Sequence, residues 1–245
     1  VKDERVEVLD LESDVVVYHP ADHRLLLCDS LQKKDRFETF PAFSPDGRTL
    51  YFCSAEAKKI PEEYKEIRYN LCSIDFDPSA GTFGSRIDTL VNAEALGKSV
   101  SFPRPSYDGK YIMFTLSDYG NFSIWHKEAD LWLLDLTSGD LRKLSEVNSD
   151  DTESFHNWSS NSRWFVFSSR RGDGLYTRLY LASMDENGKI SKPFLLPQED
   201  PETYYDRSVY SYNVPDFTSE PIKIDTRVFE KKITSKERIQ VQAKK

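Results

Sequence analysis

The side chains that could support acid–base chemistry or ligand binding are a few histidines with charged or aromatic neighbours. His156 follows Glu153 by three positions, and with Arg104 these residues could form a general base or a binding site. His126 stands next to Trp125 in a polar segment typical of a loop, where binding residues are common. The candidate binding residues are Arg104, His156, Glu153, Trp125, His126 and Arg170.

Sequence motifs that would assign an enzymatic reaction are absent. The chain contains no GxSxG, P-loop, GxGxxG or HExxH pattern, so no catalytic residue is assigned and an enzyme is the less favoured interpretation. Cys28, Cys53 and Cys72 are too few for a disulfide scaffold and lack CxxC spacing, which predicts buried thiols, although a bridge between Cys53 and Cys72 stays open. The tyrosines around Tyr204 fit either core packing or stacking against a sugar.

The composition opposes two classes of function. A net charge of −8 over 245 residues argues against a nucleic-acid binder, which usually carries a basic surface. Charged residues make up 30% of the chain and no apolar run approaches the length of a membrane-spanning helix. The 15 phenylalanines and 13 tyrosines favour β-structure, because aromatic side chains fit a pleated, half-buried surface.

A repeated unit explains how these residues are positioned. It occurs clearly at Thr39–Ser54, Ser101–Thr115 and Ser154–Ser169, and more weakly at Val17–Cys28. In the first copy Ser44–Gly47 reads Ser-Pro-Asp-Gly, which matches a type I turn with glycine in the last place. Apolar runs flank the turn on both sides, so the unit predicts a β-hairpin.

The third copy departs from the others at the turn. Ser162 stands where the first copy has Gly47. The last turn position favours a positive φ, which glycine adopts without strain. We therefore expect Ser162 to have a positive φ if its hairpin has the same geometry.

Each clear copy is followed by a second pair of strand-like runs, so the whole unit has four strands. We predict blades at about 39–90, 101–145 and 154–196, a partial blade at 5–29, and closing strands within 204–224. Together these form a propeller region at 1–225. The remaining segment, 226–245, is a basic tail that reads as an amphipathic or disordered extension, with contact to an acidic surface or to a further domain among its open roles.

The repeat resembles the TolB-type, WD-like β-propeller repeat. The resemblance rests on the aromatic-Ser-Pro-Asp-Gly-Arg/Lys pattern, an apolar strand ending in serine, and a Leu-Tyr or Leu-Trp strand ending in aspartate. It covers about residues 14–196 and is strongest to TolB-like envelope proteins of Bacteroidetes. It implies an all-β propeller of four-stranded antiparallel blades. Rings close with about 4–8 blades, so we expect an incomplete, C-terminal part of a six-to-eight-bladed ring.

By this resemblance the chain is a non-catalytic scaffold that binds an envelope protein or a peptide in the periplasm or at the outer membrane. Residues 1–30 carry no secretory signal, so localisation rests on the resemblance alone. An open ring exposes blade surface, which predicts contact with its own upstream blades, a partner chain or another copy. Neighbouring copies carry no matching histidines, so no metal or other cofactor is expected. The alternatives are the propeller of a polysaccharide lyase or glycan-binding protein, or an accessory domain of a peptidase.

Overall fold

The computed structural model describes residues 8–200 and 203–244. Twelve strands form three four-stranded antiparallel sheets that follow one another along the chain, here called blades 1, 2 and 3. Blade 1 contains β3 (Arg36–Phe43), β4 (Thr49–Glu56), β5 (Asn70–Asp77) and β6 (Thr82–Val91). Blade 2 contains β7 (Ser99–Pro105), β8 (Tyr111–Ser117), β9 (Asp130–Asp135) and β10 (Leu141–Lys143). Blade 3 contains β11 (Glu153–Trp158), β12 (Trp164–Ser169), β13 (Arg178–Ser183) and β14 (Phe194–Leu195). The all-β propeller architecture predicted from the repeat is confirmed.

A smaller sheet precedes blade 1. Its strands β1 (Val17–His19) and β2 (Arg24–Leu26) form an antiparallel hairpin. A third strand, β15 (Gln242–Lys244), comes from the C-terminal end of the described chain and pairs with β2 in parallel. This N-terminal sheet therefore combines residues from both ends of the described chain.

The blades stack because the second strands of blades 1 and 2 send alternate residues to the two neighbouring sheets. In β4, Leu50 and Phe52 pack towards the N-terminal sheet, whereas Tyr51 and Cys53 pack towards blade 2. The buried clusters join the N-terminal sheet to blade 1, blade 1 to blade 2 and blade 2 to blade 3. Among the described residues no such cluster joins blade 3 back to the N-terminal sheet, so the four sheets form an open part of a propeller.

The cysteines are free thiols. Cys53 lies in the cluster shared with blade 2 and Cys72 in the cluster shared with the N-terminal sheet, on opposite faces of blade 1. Burial raises the pKa of both thiols. The possible Cys53–Cys72 bridge is not formed.

The turns between the first two strands of each blade share one geometry. Gly47 and Gly109 have φ of 70° and 72°, and Ser162 has φ of 57° at the equivalent place. The positive φ predicted for Ser162 is confirmed. The Ser162 hydroxyl is buried and accepts the backbone N–H of Asp108 in blade 2 at 2.9 Å, so this side chain also joins two blades.

The N-terminal hairpin corresponds to the second hairpin of a blade rather than to the first. His23 (φ 56°) immediately precedes β2, as Gly81 (φ 65°) immediately precedes β6. After each hairpin a short 3-10 helix, Asp29–Leu31 or Glu94–Leu96, leads into the first strand of the next blade. The weak fourth copy of the repeat, Val17–Cys28, therefore forms the second hairpin of a blade and not the first, and its apolar-turn-apolar pattern fits both.

The closing strands expected within 204–224 are not formed. Tyr204–Arg207 is a single helical turn (α1), and residues 208–224 contain no strand. Blade 3 already has four strands, and Pro215 and Pro221 remove backbone donors that a further strand would need. Residues 203–217, here called the C-terminal strap, instead bind blade 3. Arg178 donates to the carbonyls of Ser208 and Tyr205 at 2.9 and 3.4 Å.

After the strap the chain forms helix α2 (Thr226–Thr234) and then β15. The predicted tail is thus helical in its first half. Neither helix within 8–200 and 203–244 is long and apolar enough to cross a membrane.

Candidate functional site

The first strands of the three blades, β3, β7 and β11, contact one another and form the inner edge of the stack. Each is interrupted by a β-bulge at the same place in the repeat. The bulges lie at residues 39–42, 101–104 and 154–157. Each contains a phenylalanine in the left-handed region: Phe40, Phe102 and Phe155 have φ of 51°, 53° and 50°.

In blades 1 and 2 the residue after the phenylalanine explains why the ladder breaks there. Pro41 and Pro103 have no N–H to donate, so a regular pair at that position would lose a hydrogen bond. In blade 3 the equivalent residue is His156. A positive φ at a residue other than glycine costs about 1–3 kcal/mol and persists where the surroundings enforce it, often at binding sites. Its presence at three equivalent positions marks this edge as a candidate site.

The three rings form a continuous aromatic row across the blades. The centroids of Phe40 and Phe102 are 4.3 Å apart, and those of Phe102 and Phe155 are 4.9 Å apart. Tyr69 extends the row with an edge contact to Phe40 at 6.3 Å. Such distances are those of favourable aromatic pairs.

The row forms one wall of a cavity of about 270 Å³, here called the aromatic pocket. Two connecting loops complete it: Tyr64 and Ile67 come from the loop in blade 1, and Phe122 from the loop in blade 2. Residues 8–10 and 13 also contribute to the lining. The pocket therefore combines seven aromatic side chains with polar and aliphatic ones and lies across several segments of the chain.

The contact between Gly120 and Tyr69 holds the two loops together. A Cβ atom at Gly120 would lie 2.4 Å from Cδ2 of Tyr69, which is too close for any other residue without a shift of the ring. The backbone N–H of Gly120 also donates to the Ile67 carbonyl at 3.0 Å. Burial raises the pKa of the Tyr69 hydroxyl, so this ring stays neutral.

One polar group in the pocket wall has no partner. The Ser101 hydroxyl is buried, with 3% of the residue exposed, and makes no hydrogen bond to the described residues. The equivalent residue in blade 3, Ser154, bonds Thr115 at 3.1 Å and Ser123 at 3.0 Å. Buried hydroxyl groups are normally paired. Ser101 therefore offers the pocket a donor that the protein itself leaves unused.

Two of the sequence-predicted residues, His156 and Arg104, lie near each other between blades 2 and 3. Nε2 of His156 donates to the Met113 carbonyl at 2.9 Å, and Nε1 of Trp158 donates to the Arg104 carbonyl at 3.0 Å. Burial, reinforced by the charge of Arg104, lowers the pKa of His156 to about 3. His156 is therefore neutral at physiological pH and connects two blades.

Glu153 is the most extensively bonded side chain among the predicted residues. Its carboxylate accepts hydrogen bonds from Ser149 at 2.6 Å, from Ser169 at 2.8 Å and from Arg171 at 2.9 Å. Burial raises its pKa, and the Ser149 bond and the Arg171 charge oppose that rise. These contacts hold Glu153 in place within blade 3, which indicates a structural role.

The loop residues form two local contacts. The Arg170 guanidinium lies over the Trp125 ring at 4.4 Å, a cation–π contact. Nδ1 of His126 lies 3.1 Å from a carboxylate oxygen of Glu128, and its ring packs on Tyr119 at 4.1 Å. Within the described residues, no group of three or more His, Cys, Asp or Glu side chains is arranged to hold a metal ion.

The structure thus brings four of the predicted residues together in two pairs, His156 with Arg104 and Arg170 with Trp125, and does not gather the six into one cluster. None of the six lines the aromatic pocket as the structure describes it. The phenylalanines of the pocket were missed, although a signal exists. Each stands four positions before the serine that opens the hairpin turn, and in two of three copies proline follows it. A repeated Phe-Pro inside a strand indicates a β-bulge, which points the aromatic side chain away from the regular alternation of the strand.

The comparisons with known proteins find similar solved structures and find no match to a protein-family model or to a curated protein. Among solved structures it is similar to TolB from Acinetobacter baumannii, with 19% identity and a TM-score of 0.42 over 75% of this chain and 41% of that one. It is also similar to the β-propeller domain of the Trilobed protease from Pyrococcus furiosus, with 17% identity and a TM-score of 0.39 over 68% of this chain and 44% of that one.

A third similar structure is oligogalacturonate lyase from Vibrio parahaemolyticus, with 15% identity and a TM-score of 0.38 over 64% of this chain and 38% of that one. The chain spans less than half the length of each of these three structures. The resemblance concerns the fold: a TolB-like arrangement of propeller blades.

Proposed function

We propose that the chain is a non-catalytic propeller scaffold of the bacterial cell envelope that binds a protein or peptide segment in the aromatic pocket. The observation that supports this most is the row of Phe40, Phe102 and Phe155 at equivalent bulges. Three strained residues at one edge are expected where a surface is preorganised for a ligand. The envelope location is carried by the TolB-like repeat.

The size and chemistry of the pocket favour a side chain as its occupant. Small-molecule pockets span about 300–1,000 Å³, and the aromatic pocket, at about 270 Å³, is slightly smaller. An aromatic or branched apolar side chain of an extended segment would fill much of it. The unused Ser101 hydroxyl would then donate to a backbone carbonyl of the same segment.

Catalysis is the weaker interpretation because the residues suited to it are engaged elsewhere. His156 is buried and has a pKa of about 3, so it cannot donate a proton near neutral pH. Glu153 is bound by two serines and Arg171. Both side chains connect parts of the fold.

A random dodecapeptide phage library tests the proposal, with selected peptides measured by isothermal titration calorimetry. We expect the selected peptides to share an aromatic or branched apolar residue. Phe102→Ala should weaken binding by about tenfold or more, because a central aromatic contact often carries about 2 kcal/mol. Ser101→Ala should weaken it by about fivefold through loss of one hydrogen bond.

Phe43→Ala provides the matched control, since Phe43 is a partly exposed phenylalanine of β3 outside the aromatic pocket. Its effect on affinity should stay below about twofold. Thermal unfolding by circular dichroism checks that each variant is folded. No enriched peptide, or equal losses in Phe43→Ala and Phe102→Ala, would rule the pocket out as the binding site.

The alternative proposals are a glycan-binding or lyase-associated propeller and an accessory propeller of a peptidase. For glycan binding the candidate surface is Trp125 with the tyrosines of the strap, where the hydroxyls of Tyr204 and Tyr212 are 2.7 Å apart. A glycan array probed with the wild-type chain and with Trp125→Ala and Tyr204→Ala distinguishes this class. Binding lost in these variants but kept in Phe102→Ala would favour the glycan-binding alternative.

A further inference from the structure

The segment between the strap and β15 is the least covered part of the described chain. Of residues 218–241, Ser235 alone is partly buried and all others are exposed. Ile233 is 78% exposed and Phe229 is 54% exposed. The large apolar side chains exposed along this segment are Ile222, Ile224, Val228, Phe229, Ile233, Ile239 and Val241. Scattered apolar residues are normal on a surface, whereas this concentration indicates a contact surface.

Helix α2 within this segment has no packing partner among the described residues. Asp225 caps it by accepting the N–H of Arg227 at 3.0 Å, and none of its nine residues is buried. An isolated helix shorter than about 12 residues is marginal in water, because helical stability in proteins comes mainly from packing an apolar face. The helix therefore needs a surface to lie on.

The charge of the tail opposes that of the blades. Residues 226–245 contain seven basic and two acidic side chains, a net charge of +5, so the rest of the chain carries −13. Within residues 222–241, six basic and three acidic side chains give a net charge of +3. On α2 the basic Arg227, Lys231 and Lys232 alternate with the apolar Val228, Phe229 and Ile233. Such interleaving is typical of helices that lie in a lipid interface, with apolar groups in the acyl region and cations among anionic headgroups.

We propose that residues 222–241 form a docking surface for an anionic lipid bilayer. The apolar side chains enter the interface and the lysines and arginines contact lipid phosphates. Both ends of the segment are fixed to the folded sheets: Asn157 of blade 3 donates to Asp216 in the strap at 2.8 Å, and β15 pairs with β2 of the N-terminal sheet. Docking would therefore hold the blades beside the membrane, with no membrane-spanning helix required.

A lipid surface is favoured over the same segment of a second copy because of charge. Two segments that each carry +3 over residues 222–241 would repel each other, whereas anionic headgroups attract the cations. A bilayer interface offers apolar and anionic layers within a few ångströms along its whole length. This inference is independent of peptide binding in the aromatic pocket.

Vesicle co-sedimentation of the 245-residue chain tests the proposal, using phosphatidylcholine vesicles with and without phosphatidylglycerol. We expect binding to the anionic vesicles that falls with added salt, and little binding to the neutral ones. The pair Phe229→Ser and Ile233→Ser, and separately the pair Lys231→Glu and Lys232→Glu, should each weaken binding by about tenfold or more. Binding should be accompanied by a gain of helical circular dichroism.

The control variants are Leu175→Ser, which removes an exposed leucine of blade 3, and Lys192→Glu, which reverses an exposed charge outside the tail. Both should bind vesicles as the wild type does. Absence of binding to anionic vesicles, or equal binding to neutral ones, would overturn the proposal. So would self-association in analytical ultracentrifugation that is lost in the Phe229→Ser, Ile233→Ser variant, because a second copy would then cover this surface.

Discussion

Blades 1 and 3 place a buried glutamate at the same point, two residues before the bulged phenylalanine of the inner strand. Glu153 in blade 3 faces Ser169 across the strand pair, and Glu38 in blade 1 faces Ser54 in the same way. Glu153 accepts three short side-chain hydrogen bonds, one of them from Arg171. Glu38 accepts one long bond from Ser54, at 3.4 Å, and its second oxygen has no partner.

One difference between the two blades lies two residues after the serine that faces each glutamate. Arg171 stands two residues after Ser169, whereas Glu56 stands two residues after Ser54. Blade 1 therefore places an acidic residue where blade 3 supplies the cation. Burial, with Asp14 adding to it, raises the pKa of Glu38 to about 7. A repeat can thus keep its backbone while the same residue type changes from a paired anion to a group that titrates near neutrality.

The largest effect is expected for removal of the paired glutamate. Glu153→Ala leaves Arg171 without its buried partner, which should lower the free energy of unfolding by about 3–5 kcal/mol. Glu38→Ala should change it by less than about 1.5 kcal/mol at pH 7.5, since the loss of one weak bond is offset by removal of a buried carboxylate that is ionised at this pH. Urea denaturation at pH 7.5 measures both. Equal losses would show that the two glutamates are equivalent in energy despite their different partners.

The second-largest expected effect is a pH dependence of stability that arises from Glu38 in blade 1. Between about pH 4.5, the ordinary value for glutamate, and about pH 7, the folded chain holds a proton on Glu38 that the unfolded chain has released. The contribution of Glu38 to the free energy of unfolding is therefore complete below pH 4.5 and is lost as the pH rises from there through 7. Glu38→Gln should raise the free energy of unfolding by about 2 kcal/mol at pH 8 and leave it nearly unchanged at pH 4.5.

Urea titrations of the wild type and Glu38→Gln at several pH values measure this difference. A difference that does not grow between pH 4.5 and 8 would contradict the raised pKa. Thr39→Ser, a conservative change of the adjacent residue of β3, serves as the control and should show no such pH dependence.

A smaller gain is expected from giving blade 1 the cation that blade 3 has. Glu56→Arg removes the ion pair with Lys58, at 2.7 Å on the surface, and places a guanidinium near Glu38. We expect the pKa of Glu38 to fall and stability at pH 8 to rise by about 1 kcal/mol. The carboxyl carbon shift of Glu38 in a ¹³C NMR titration reports the pKa directly. An unchanged pKa would show that the position of Arg171 in blade 3 depends on more than its residue type.

The smallest effects concern the turns that the two blades share. Gly47→Ala forces a φ of 70° on a residue with a Cβ and should cost about 1 kcal/mol, although the space around it is open. Ser162→Gly should change stability by less than about 0.5 kcal/mol, because relief of strain offsets the lost bond to Asp108. Thermal unfolding measures both. A clear loss of stability for Ser162→Gly would show that the inter-blade hydrogen bond contributes more to stability than the strain at Ser162 costs.

The turn chemistry made the blades and the positive φ of Ser162 predictable from sequence, because Ser-Pro-Asp-Gly fixes the backbone locally. The pairing of β2 with β15 was not predictable, since no local pattern relates a hairpin to a distant tail. The aromatic pocket depends on loops whose conformation is set by contacts such as Gly120 on Tyr69, and these form only in the folded chain. The sequence predicts His156 as a candidate base from its residue type alone, because the burial that keeps it neutral is a property of the folded chain.

The parallel pairing of β2 with β15 has a consequence for the order of folding. Each blade is closed by contacts between residues that are near in sequence, so the blades can form and stack one after another like units of a repeat array. The β2–β15 pair joins residues about 220 positions apart, and closing so long a loop costs conformational entropy before any contact compensates for it. This pair should therefore form last during folding and open first during unfolding, so that hydrogen exchange at residues 242–244 should be faster than in blades 1 to 3.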